Sequence, residues 1–230
     1  MTDYLTYFSH LLTLKVMLYV FCEGEVAEFV RQNRNSEDTV IHEVPFKDVE
    51  CYKFRQSIQR VMRSKTFRKN NTLLNHPECF SADYVIITNS KVSFLKTATE
   101  RNPFGTSHFV WIDAGYGHGT GIYPENGKWL PAKLLGMHRK ITFIQLRDIA
   151  ADDDSDLHKG KEPVLNGGFF GGDKWAIEEY YRTYRDVFCA CLNKNVVDDD
   201  QSIALYTYFR YPSLFEFVRG DWYDAIKLYS

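Results

Sequence analysis

The stretch Phe109-Val110-Trp111-Ile112-Asp113-Ala114-Gly115-Tyr116-Gly117-His118-Gly119 decides how the rest of the chain is interpreted. It begins with an apolar run of strand length, which ends at the carboxylate of Asp113 and is followed by glycines. A buried strand that ends in this way places its last side chain in a crevice, and in open α/β sheets ligands bind at the carboxyl ends of strands. Asp113 is therefore a candidate ligand for a metal ion or a hydroxyl group.

The length of 230 residues is enough for one sizeable α/β domain or two small ones, and since no domain boundary is evident we expect a single domain over residues 1–230. The contents of 44% hydrophobic and 25% charged residues predict a globular protein. The net charge of −2 offers no basic excess to a polyanion, so nucleic acid is not an expected partner. Since no stretch approaches the roughly 18 apolar residues of a membrane span, we expect no transmembrane segment and a cytoplasmic protein.

The cysteines and aromatic residues constrain the interpretation less strongly. Five cysteines without a C-x-x-C pair indicate neither a disulfide framework nor a zinc site, and they favour reduced, partly buried thiols. Aromatic residues make up 16% of the chain. They are explained either by a core packed with rings or by a ring-rich ligand surface.

Apolar periodicity predicts an alternation of helices and strands. The predicted helices cover residues 3–14, 26–32, 47–70, 81–101, 175–192 and 202–209, and the predicted strands cover residues 16–21, 39–44, 108–113 and 140–146. The polar run 88–91 interrupts one helix and places Lys91 near a turn or on the ligand side. The strand predicted over residues 39–44 alternates imperfectly, as expected in a parallel sheet that is covered on both faces.

Two glycine-containing or acidic segments fail the common ligand motifs. The glycines after Asp113 fit neither G-x-G-x-x-G nor a P-loop, so neither a dinucleotide site nor a Walker NTPase is supported. The acidic residues at 152, 153, 154 and 156 do not form an EF-hand, because Leu157 and Pro163 occupy the required glycine and glutamate positions. We predict a solvated acidic turn there.

Two further segments have unusual composition. Residues 164–172 contain two glycine pairs around Phe169 and Phe170, which would let the backbone pass close to a flat or bulky group. Three aspartates at 198–200 precede the last predicted helix. Helix capping and the helix dipole alone could explain them.

Three blocks in this order resemble the HtrL/YibB family of glycosyltransferase-like proteins: Trp111-Ile112-Asp113-Ala114-Gly115, Asn166-Gly167-Gly168-Phe169-Phe170-Gly171-Gly172 and Asp199-Asp200-Gln201. The segments Asn89–Leu95 and Tyr4–Phe21 are also similar to that family, so the resemblance covers most of the chain. It implies a GT-A-like α/β fold with a twisted, mixed and mostly parallel sheet flanked by helices. GT-A folds begin with a strand that grips the nucleotide base, whereas this sequence starts at the following helix, so we expect the first strand to be missing.

The resemblance also implies a nucleotide-sugar donor, a glycan or other acceptor, and Mn²⁺ or Mg²⁺ as a cofactor. The implied metal ligands are Asp113 and His118, although the usual second aspartate is replaced by Trp111 or Gly115. The implied substrate-binding residues are Asn89, Lys91, Asn166, Gly167, Gly168, Phe169 and Phe170, with Lys91 neutralising phosphate and a phenylalanine stacking on a sugar. The implied catalytic residues are Asp199, Asp200 and Gln201, in which an aspartate acts as base or orients the acceptor and Gln201 binds the sugar.

The predicted function is therefore glycosyl transfer from a nucleotide-sugar. One alternative is a non-catalytic carbohydrate- or nucleotide-binding module on the same scaffold. A second alternative is a hydrolase that pairs Asp113 with Asp199 or Asp200. All three interpretations require Asp113, Asn166 and Asp200 to converge in the folded chain.

Overall fold

The computed structural model describes residues 2–71, 74–150, 152–153 and 162–230. The helices are α1 (Thr2–Leu11), α2 (Gly24–Asn33), α3 (Arg55–Arg63), α4 (Lys65–Asn70), α5 (Pro77–Phe80), α6 (Ala82–Asn89), α7 (Lys91–Arg101), α8 (Ala132–Leu135), α9 (Lys174–Asn193), α10 (Asp200–Arg210) and α11 (Ala225–Tyr229). The strands are β1 (Leu18–Cys22), β2 (Thr39–Glu43), β3 (His108–Ile112), β4 (Ile141–Gln145), β5 (Leu165–Asp173) and β6 (Phe215–Arg219). Short 3₁₀ helices cover Phe46–Asp48, Glu50–Phe54 and Pro212–Leu214.

The strands form two sheets, which confirms a mixed α/β fold. One sheet consists of the parallel pair β1–β2, and the other has the order β3-β5-β4-β6. Strand β5 runs antiparallel to both β3 and β4, whereas β4 and β6 are parallel. Parallel and antiparallel pairings are therefore equally frequent in the described part of the chain. The expectation of a mostly parallel sheet is wrong, because β5, which the sequence did not indicate as a strand, lies between β3 and β4 and runs antiparallel to both.

Two predicted helices are each divided by a serine. The helix expected over residues 47–70 starts as 3₁₀ turns as far as Phe54, and its α-helical part breaks at Ser64. The Ser64 hydroxyl accepts a hydrogen bond from the backbone N–H of Phe67 at 3.1 Å and so caps α4. The helix expected over residues 81–101 breaks at Ser90. Lys91 consequently begins α7, which confirms that this lysine lies near a turn.

The glycine-rich segment is the long strand β5, which the sequence analysis did not predict. A Cβ atom added at Gly171 would lie 2.5 Å from the carbonyl oxygen of Phe109 on β3, and one at Gly172 would lie 2.5 Å from that of Lys140, just before β4. Only glycine permits such close approach of neighbouring backbone on both sides. The second glycine pair therefore fits β5 between its neighbours.

Aromatic side chains fill the core of the larger sheet, so the core interpretation accounts for many of the rings. Phe143 of β4 stacks on Phe170 of β5 with ring centroids 5.2 Å apart, and both rings contact Tyr180 of α9 edge-on. All five cysteines are free thiols, as predicted. No helix in the described ranges combines the length and apolarity that crossing a membrane requires.

The acidic turn falls partly outside the described residues, since Asp154, Asp156 and Leu157 are not among them. Within the described part, Asp153 is buried, and both of its carboxylate oxygens accept hydrogen bonds from the Arg147 guanidinium at 2.9 Å. For Asp153 the expectation of a solvated side chain is wrong, because a buried bidentate ion pair replaces water.

A cavity of about 1270 Å³ lies between the two sheets. Every residue of β1 and every residue of β3 contributes to its lining. Among the described strands, β1 pairs with β2 alone and β3 pairs with β5 alone. The cavity is thus bounded by the unpaired edges of two strands, and Asp113 follows directly at the end of β3.

Candidate active site

Lys91 joins three separate segments of the chain at the cavity wall. Its ammonium group lies 3.0 Å from Asp113 Oδ2, 3.0 Å from Asp200 Oδ2 and 3.0 Å from the carbonyl oxygen of Gly167. An ammonium group has three N–H donors, so these three oxygens use all of them. The lysine side chain is only 13% exposed. It therefore holds both carboxylates in a fixed position at one side of the cavity.

Asp113 lies where β3 ends, as the sequence predicted. Its backbone N–H donates to the carbonyl oxygen of Gly168 at 3.0 Å, which anchors it to β5. Its Oδ1 accepts a hydrogen bond from the Trp111 indole at 2.6 Å, and its Oδ2 contacts Lys91. The carboxylate still has 38% of its surface exposed, and it faces the cavity.

The three aspartates before α10 have different environments. Asp199 Oδ1 accepts a hydrogen bond from the Ser202 N–H at 3.0 Å, so Asp199 is the N-cap of α10. Asp198 Oδ1 accepts from the Asp199 N–H at 2.8 Å. Asp200 is left to contact Lys91, with a side chain that is 10% exposed. The capping interpretation therefore holds for Asp199 but does not account for Asp200.

The close approach of Asp200 to β5 depends on Gly167. A Cβ atom added at Gly167 would lie 2.7 Å from Asp200 Oδ2 and 2.7 Å from Gln201 Cγ. Such contacts are too short for any larger side chain, so the first glycine pair brings β5 against the beginning of α10. Gln201 Oε1 is buried and accepts no hydrogen bond within the described part of the chain. A buried acceptor of this kind is costly unless a ligand or water satisfies it.

Burial dominates the protonation of these carboxyl groups. It raises the pKa of Asp200 to about 7 even though Lys91 opposes the shift, and the charges of Asp199 and Asp113 add to the increase. It also raises the pKa of Asp199 and of Asp198. For Lys91, burial alone lowers the pKa, but the charges of Asp200 and Asp113 outweigh burial and raise it above its ordinary value.

Asn166 links β5 to a loop that carries exposed aromatic rings. Its Oδ1 accepts from the Gly168 N–H at 2.7 Å, and its Nδ2 donates to the Trp222 carbonyl oxygen at 2.6 Å. The Asn166 side chain is buried. It therefore fixes the position of the Trp222 backbone beside the cavity.

Aromatic side chains lie close together at this end of the cavity. His118 stacks on Tyr7 with ring centroids 5.5 Å apart, and Tyr223 lies 5.4 Å from His118. Tyr4 and Trp222 are 66% and 39% exposed. We call Tyr4, Tyr7, His118, Trp222 and Tyr223 the aromatic rim.

The oxygen atoms around Lys91 are the candidate donors for Mn²⁺ or Mg²⁺. Two carboxylates and a carbonyl oxygen are the donors that such ions prefer. The Lys91 ammonium group lies between these donors and already supplies the cation. His118 belongs to no group of three His, Cys, Asp or Glu side chains, among the described residues, that could share an ion. These residues therefore do not fit a metal ion beside Lys91.

A family model with the description "Bacterial protein of unknown function (HtrL_YibB)" matches residues 1–230. The chain belongs to the HtrL/YibB family. It is 27% identical to Protein HtrL of Escherichia coli (strain K12) over 232 residues, which cover 98% of this chain and 81% of that protein. No solved structure matches it. Membership of the HtrL/YibB family, predicted from the three blocks, is thus confirmed, whereas the GT-A fold and the activity remain predictions.

Most of the residues predicted for the site of this HtrL/YibB protein line the cavity between the two sheets. These are Lys91, Asp113, His118, Asn166, Gly167, Gly168, Asp200 and Gln201. The convergence of Asp113, Asn166 and Asp200, which every functional interpretation required, is present through Lys91 and the adjoining residues of β5.

Four predicted residues lie away from the cavity lining. Phe169 is 0% exposed and Phe170 is 3% exposed, so both rings pack in the core and neither can stack on a sugar in this structure. Asn89 is buried; it donates to the carbonyl oxygens of Val85 and Asp198, and it accepts from the Tyr184 hydroxyl at 2.6 Å. Asn89 positions the loop before α10 rather than contacting a ligand, and Asp199 caps the helix.

Sequence reasoning missed several residues of the cavity wall in this HtrL/YibB protein. Tyr84 lines the cavity from α6, and burial together with the charges of Asp199 and Asp200 raises the pKa of its hydroxyl. Trp222 and Tyr223 also line it, from the turn between Gly220 and Asp224. An aromatic pair between turn-forming residues was the available sequence signal for the last two.

Proposed function

We propose that this HtrL/YibB protein is a glycosyltransferase that moves a sugar from a nucleotide-sugar to a hydroxyl group of a glycan or other acceptor. The cavity of about 1270 Å³ is large enough for such a donor, since small-molecule sites commonly measure about 300–1,000 Å³. Its wall carries the charged cluster around Lys91 together with most of the aromatic rim.

The proposal rests on the environment of Asp200. It is a nearly buried carboxylate on the cavity wall whose burial raises its pKa to about 7. A carboxylate with a pKa near the working pH is suited to accept a proton from an acceptor hydroxyl. Lys91 fixes its position at 3.0 Å, so the base does not have to be ordered during the reaction.

In the proposed reaction, a bond forms between the acceptor oxygen and the anomeric carbon of the sugar. The bond from that carbon to the diphosphate oxygen breaks, and the nucleoside diphosphate leaves with the electron pair. Asp200 takes the proton of the acceptor hydroxyl. Lys91 holds Asp200 in place and offsets part of the carboxylate charge near the departing diphosphate, and the buried Gln201 Oε1 accepts a hydrogen bond from a sugar hydroxyl.

The same contacts argue against pairing the carboxylates for glycoside hydrolysis. Asp113 and Asp200 both contact Lys91 Nζ at 3.0 Å. A glycosidase places the scissile bond between its two carboxyl groups. Here the lysine ammonium group occupies that place, so Asp113 and Asp200 are not arranged on two sides of a substrate bond.

The experiment incubates the protein with a panel of nucleotide-sugars, with and without Mn²⁺ and a mixture of acceptors, and measures the release of nucleoside diphosphate. We expect acceptor-dependent release with one nucleotide class, and a loss of about 10²-fold or more in Asp200→Asn. Asp186→Asn is the control, because Asp186 is a 65% exposed carboxylate on α9. Donor binding in a thermal-shift assay without release would instead support the non-catalytic module, and no binding of any donor would overturn the proposal.

The rate of release should also depend on pH in a stated direction. A base must be unprotonated to act, so the rate should rise as the pH increases through about 7, where Asp200 ionises. The residual rate of Asp200→Asn should lack this rise. A rate that falls over the same pH range in the wild-type protein would contradict the role of Asp200 as base.

A further inference from the structure

We propose a transition-metal site formed by His108, His138 and Asp173, at the end of β3 that lies opposite Asp113. One nitrogen from each imidazole and one carboxylate oxygen all lie within 4.8 Å of one another. His108 begins β3 and Asp113 follows its last residue, so the two ends are about 17 Å apart. The site is therefore separate from the oxygen cluster around Lys91.

Three different segments bring these side chains together. His108 and Asp173 lie opposite each other in the antiparallel pairing of β3 with β5. His138 belongs to the loop between α8 and β4 and is exposed. Two of the three ligands are thus placed by the sheet itself, and the third lies on a loop that can adjust to an ion.

Neighbouring groups orient His108 as a ligand. One of its ring nitrogens, Nε2, lies 2.9 Å from the Met137 carbonyl oxygen, which can only accept a hydrogen bond. Nε2 therefore carries the proton, and the lone pair is on Nδ1, which now lies 2.9 Å from the Ser107 hydroxyl. A backbone carbonyl that holds the non-ligating nitrogen of a histidine is typical of metal sites.

Asp173 is held in the same manner. Its Oδ1 accepts from the Ala176 N–H at 2.8 Å as the N-cap of α9, and its Oδ2 accepts from the Arg139 N–H at 2.7 Å. The left-handed backbone of Arg139, with φ of 55°, accompanies this second bond. The Arg139 guanidinium group stacks on Trp175, 3.8 Å from the ring centroid, so its charge is engaged there.

The donor set identifies the class of metal. Two imidazoles and one carboxylate are typical ligands of Zn²⁺ and of Co²⁺ or Ni²⁺, whereas Mg²⁺ and Ca²⁺ prefer oxygen atoms alone. Zinc–ligand bonds are about 2.0–2.2 Å long, so ligand atoms around one ion lie closer to one another than 4.8 Å, which is the upper limit of the distances between these three atoms. Binding must therefore draw the three atoms together. Rotation of the exposed His138 side chain can supply that movement. Three protein ligands would leave a fourth position for water.

The experiment titrates the whole protein with Co²⁺ and follows the visible absorption of tetrahedral Co²⁺, and it then measures Zn²⁺ affinity and stoichiometry by calorimetry. We expect one site, and a rise in Tm of about 5–10 °C at Zn²⁺ concentrations of about 100 times Kd. His138→Ala and Asp173→Asn should each weaken binding by about tenfold or more. Asp173→Asn keeps an oxygen that can cap α9 but loses one of the two acceptors, so the Tm of the metal-free variant is measured to separate lost metal binding from lost stability.

His76→Ala is the matched control, since His76 is also a half-exposed histidine, near Glu78. Free thiols also bind these metals, but they are the same in the wild type and in the variants. The difference in metal affinity between these proteins therefore reports on the proposed site. Unchanged affinity in both His138→Ala and Asp173→Asn would overturn the site. So would a Kd for Zn²⁺ weaker than about 0.1 mM, which would indicate adventitious surface binding.

Discussion

Lys91 is the residue on which the candidate site depends. Its ammonium group contacts two carboxylates and a backbone carbonyl at the same distance of 3.0 Å, and its side chain is largely buried. Breaking a buried ion pair by removing one partner is strongly destabilising because the remaining charge has no compensation. The lysine is thus both part of the fold and a buried positive charge on the cavity wall.

Replacing Lys91 with methionine should lower the free energy of unfolding by about 3–5 kcal/mol at neutral pH. The loss should be greater at pH 8 than at pH 5. Without the ammonium group the pKa of Asp200 increases further, so the folded state binds more protons than the unfolded state, and stability falls as the pH rises. Urea denaturation at several pH values measures this.

Two companion variants complete the Lys91 measurement. Lys227→Met should change stability by no more than about 0.5 kcal/mol, because Lys227 is 81% exposed. The double variant with Lys91→Met and Asp200→Asn should recover part of the lost stability, since it removes one of the uncompensated charges. A Lys91→Met protein as stable as the wild type at pH 8 would contradict the account of a buried, coupled cluster.

At the scale of elements, strand β5 organises the site through its glycines. Gly167 lets the first turn of α10 approach the strand. Its backbone is not in the left-handed region, so alanine could adopt the same backbone conformation. A Cβ at this position would press on Asp200 and Gln201 rather than on a flexible surface group.

Gly167→Ala should therefore reduce the release of nucleoside diphosphate by about 10–100-fold, because a displacement of about 1 Å at a catalytic group is enough for such a loss. Its cost in stability should be only about 1–3 kcal/mol. Gly121→Ala is the control, since nothing lies within 4 Å of a Cβ built there. Equal activity of the two variants would show that the position of Asp200 does not matter to turnover.

The same strand marks the limit of what the sequence could predict. Periodic apolar patterns correctly indicated the helix α9 and the strands β1 and β3, because burial on one face or both leaves a regular signal. Strand β5 carries glycines where β-branched residues are usual, since its neighbours approach its backbone so closely. A contact between segments far apart in the chain produces that pattern, so local propensity could not reveal it.

For the site, the residue types were predicted better than their roles. A carboxylate after an apolar strand correctly located Asp113 at the cavity. Alternation along a strand decides which side chains of a segment share a face, and without knowing that β5 is a strand the two phenylalanines could not be assigned to the core. The contact of Lys91 with both Asp113 and Asp200 depends on tertiary structure alone.

At the scale of the whole molecule, the two sheets face each other across the cavity. On β1 and β3, alternate backbone N–H groups point away from the one strand that pairs with each in the described part of the chain, and towards the cavity. The charged cluster around Lys91 lies at one end of this space. A ligand that enters from the charged end and extends between the sheets would contact both strand edges.

Binding of the nucleotide-sugar should therefore slow amide hydrogen exchange at β1 and β3 together, by about tenfold or more, because N–H groups that face the cavity exchange readily with solvent until a ligand covers them. Exchange measured by mass spectrometry, with and without the donor at saturation, tests this.

Strand β6 is the internal control, because it lies at the far edge of the larger sheet and none of its residues lines the cavity. Protection confined to the residues around Lys91 would mean that the donor occupies only the charged end. Protection at β6 equal to that at β1 and β3 would indicate general stabilisation of the fold, and it would contradict a ligand that lies between the two sheets.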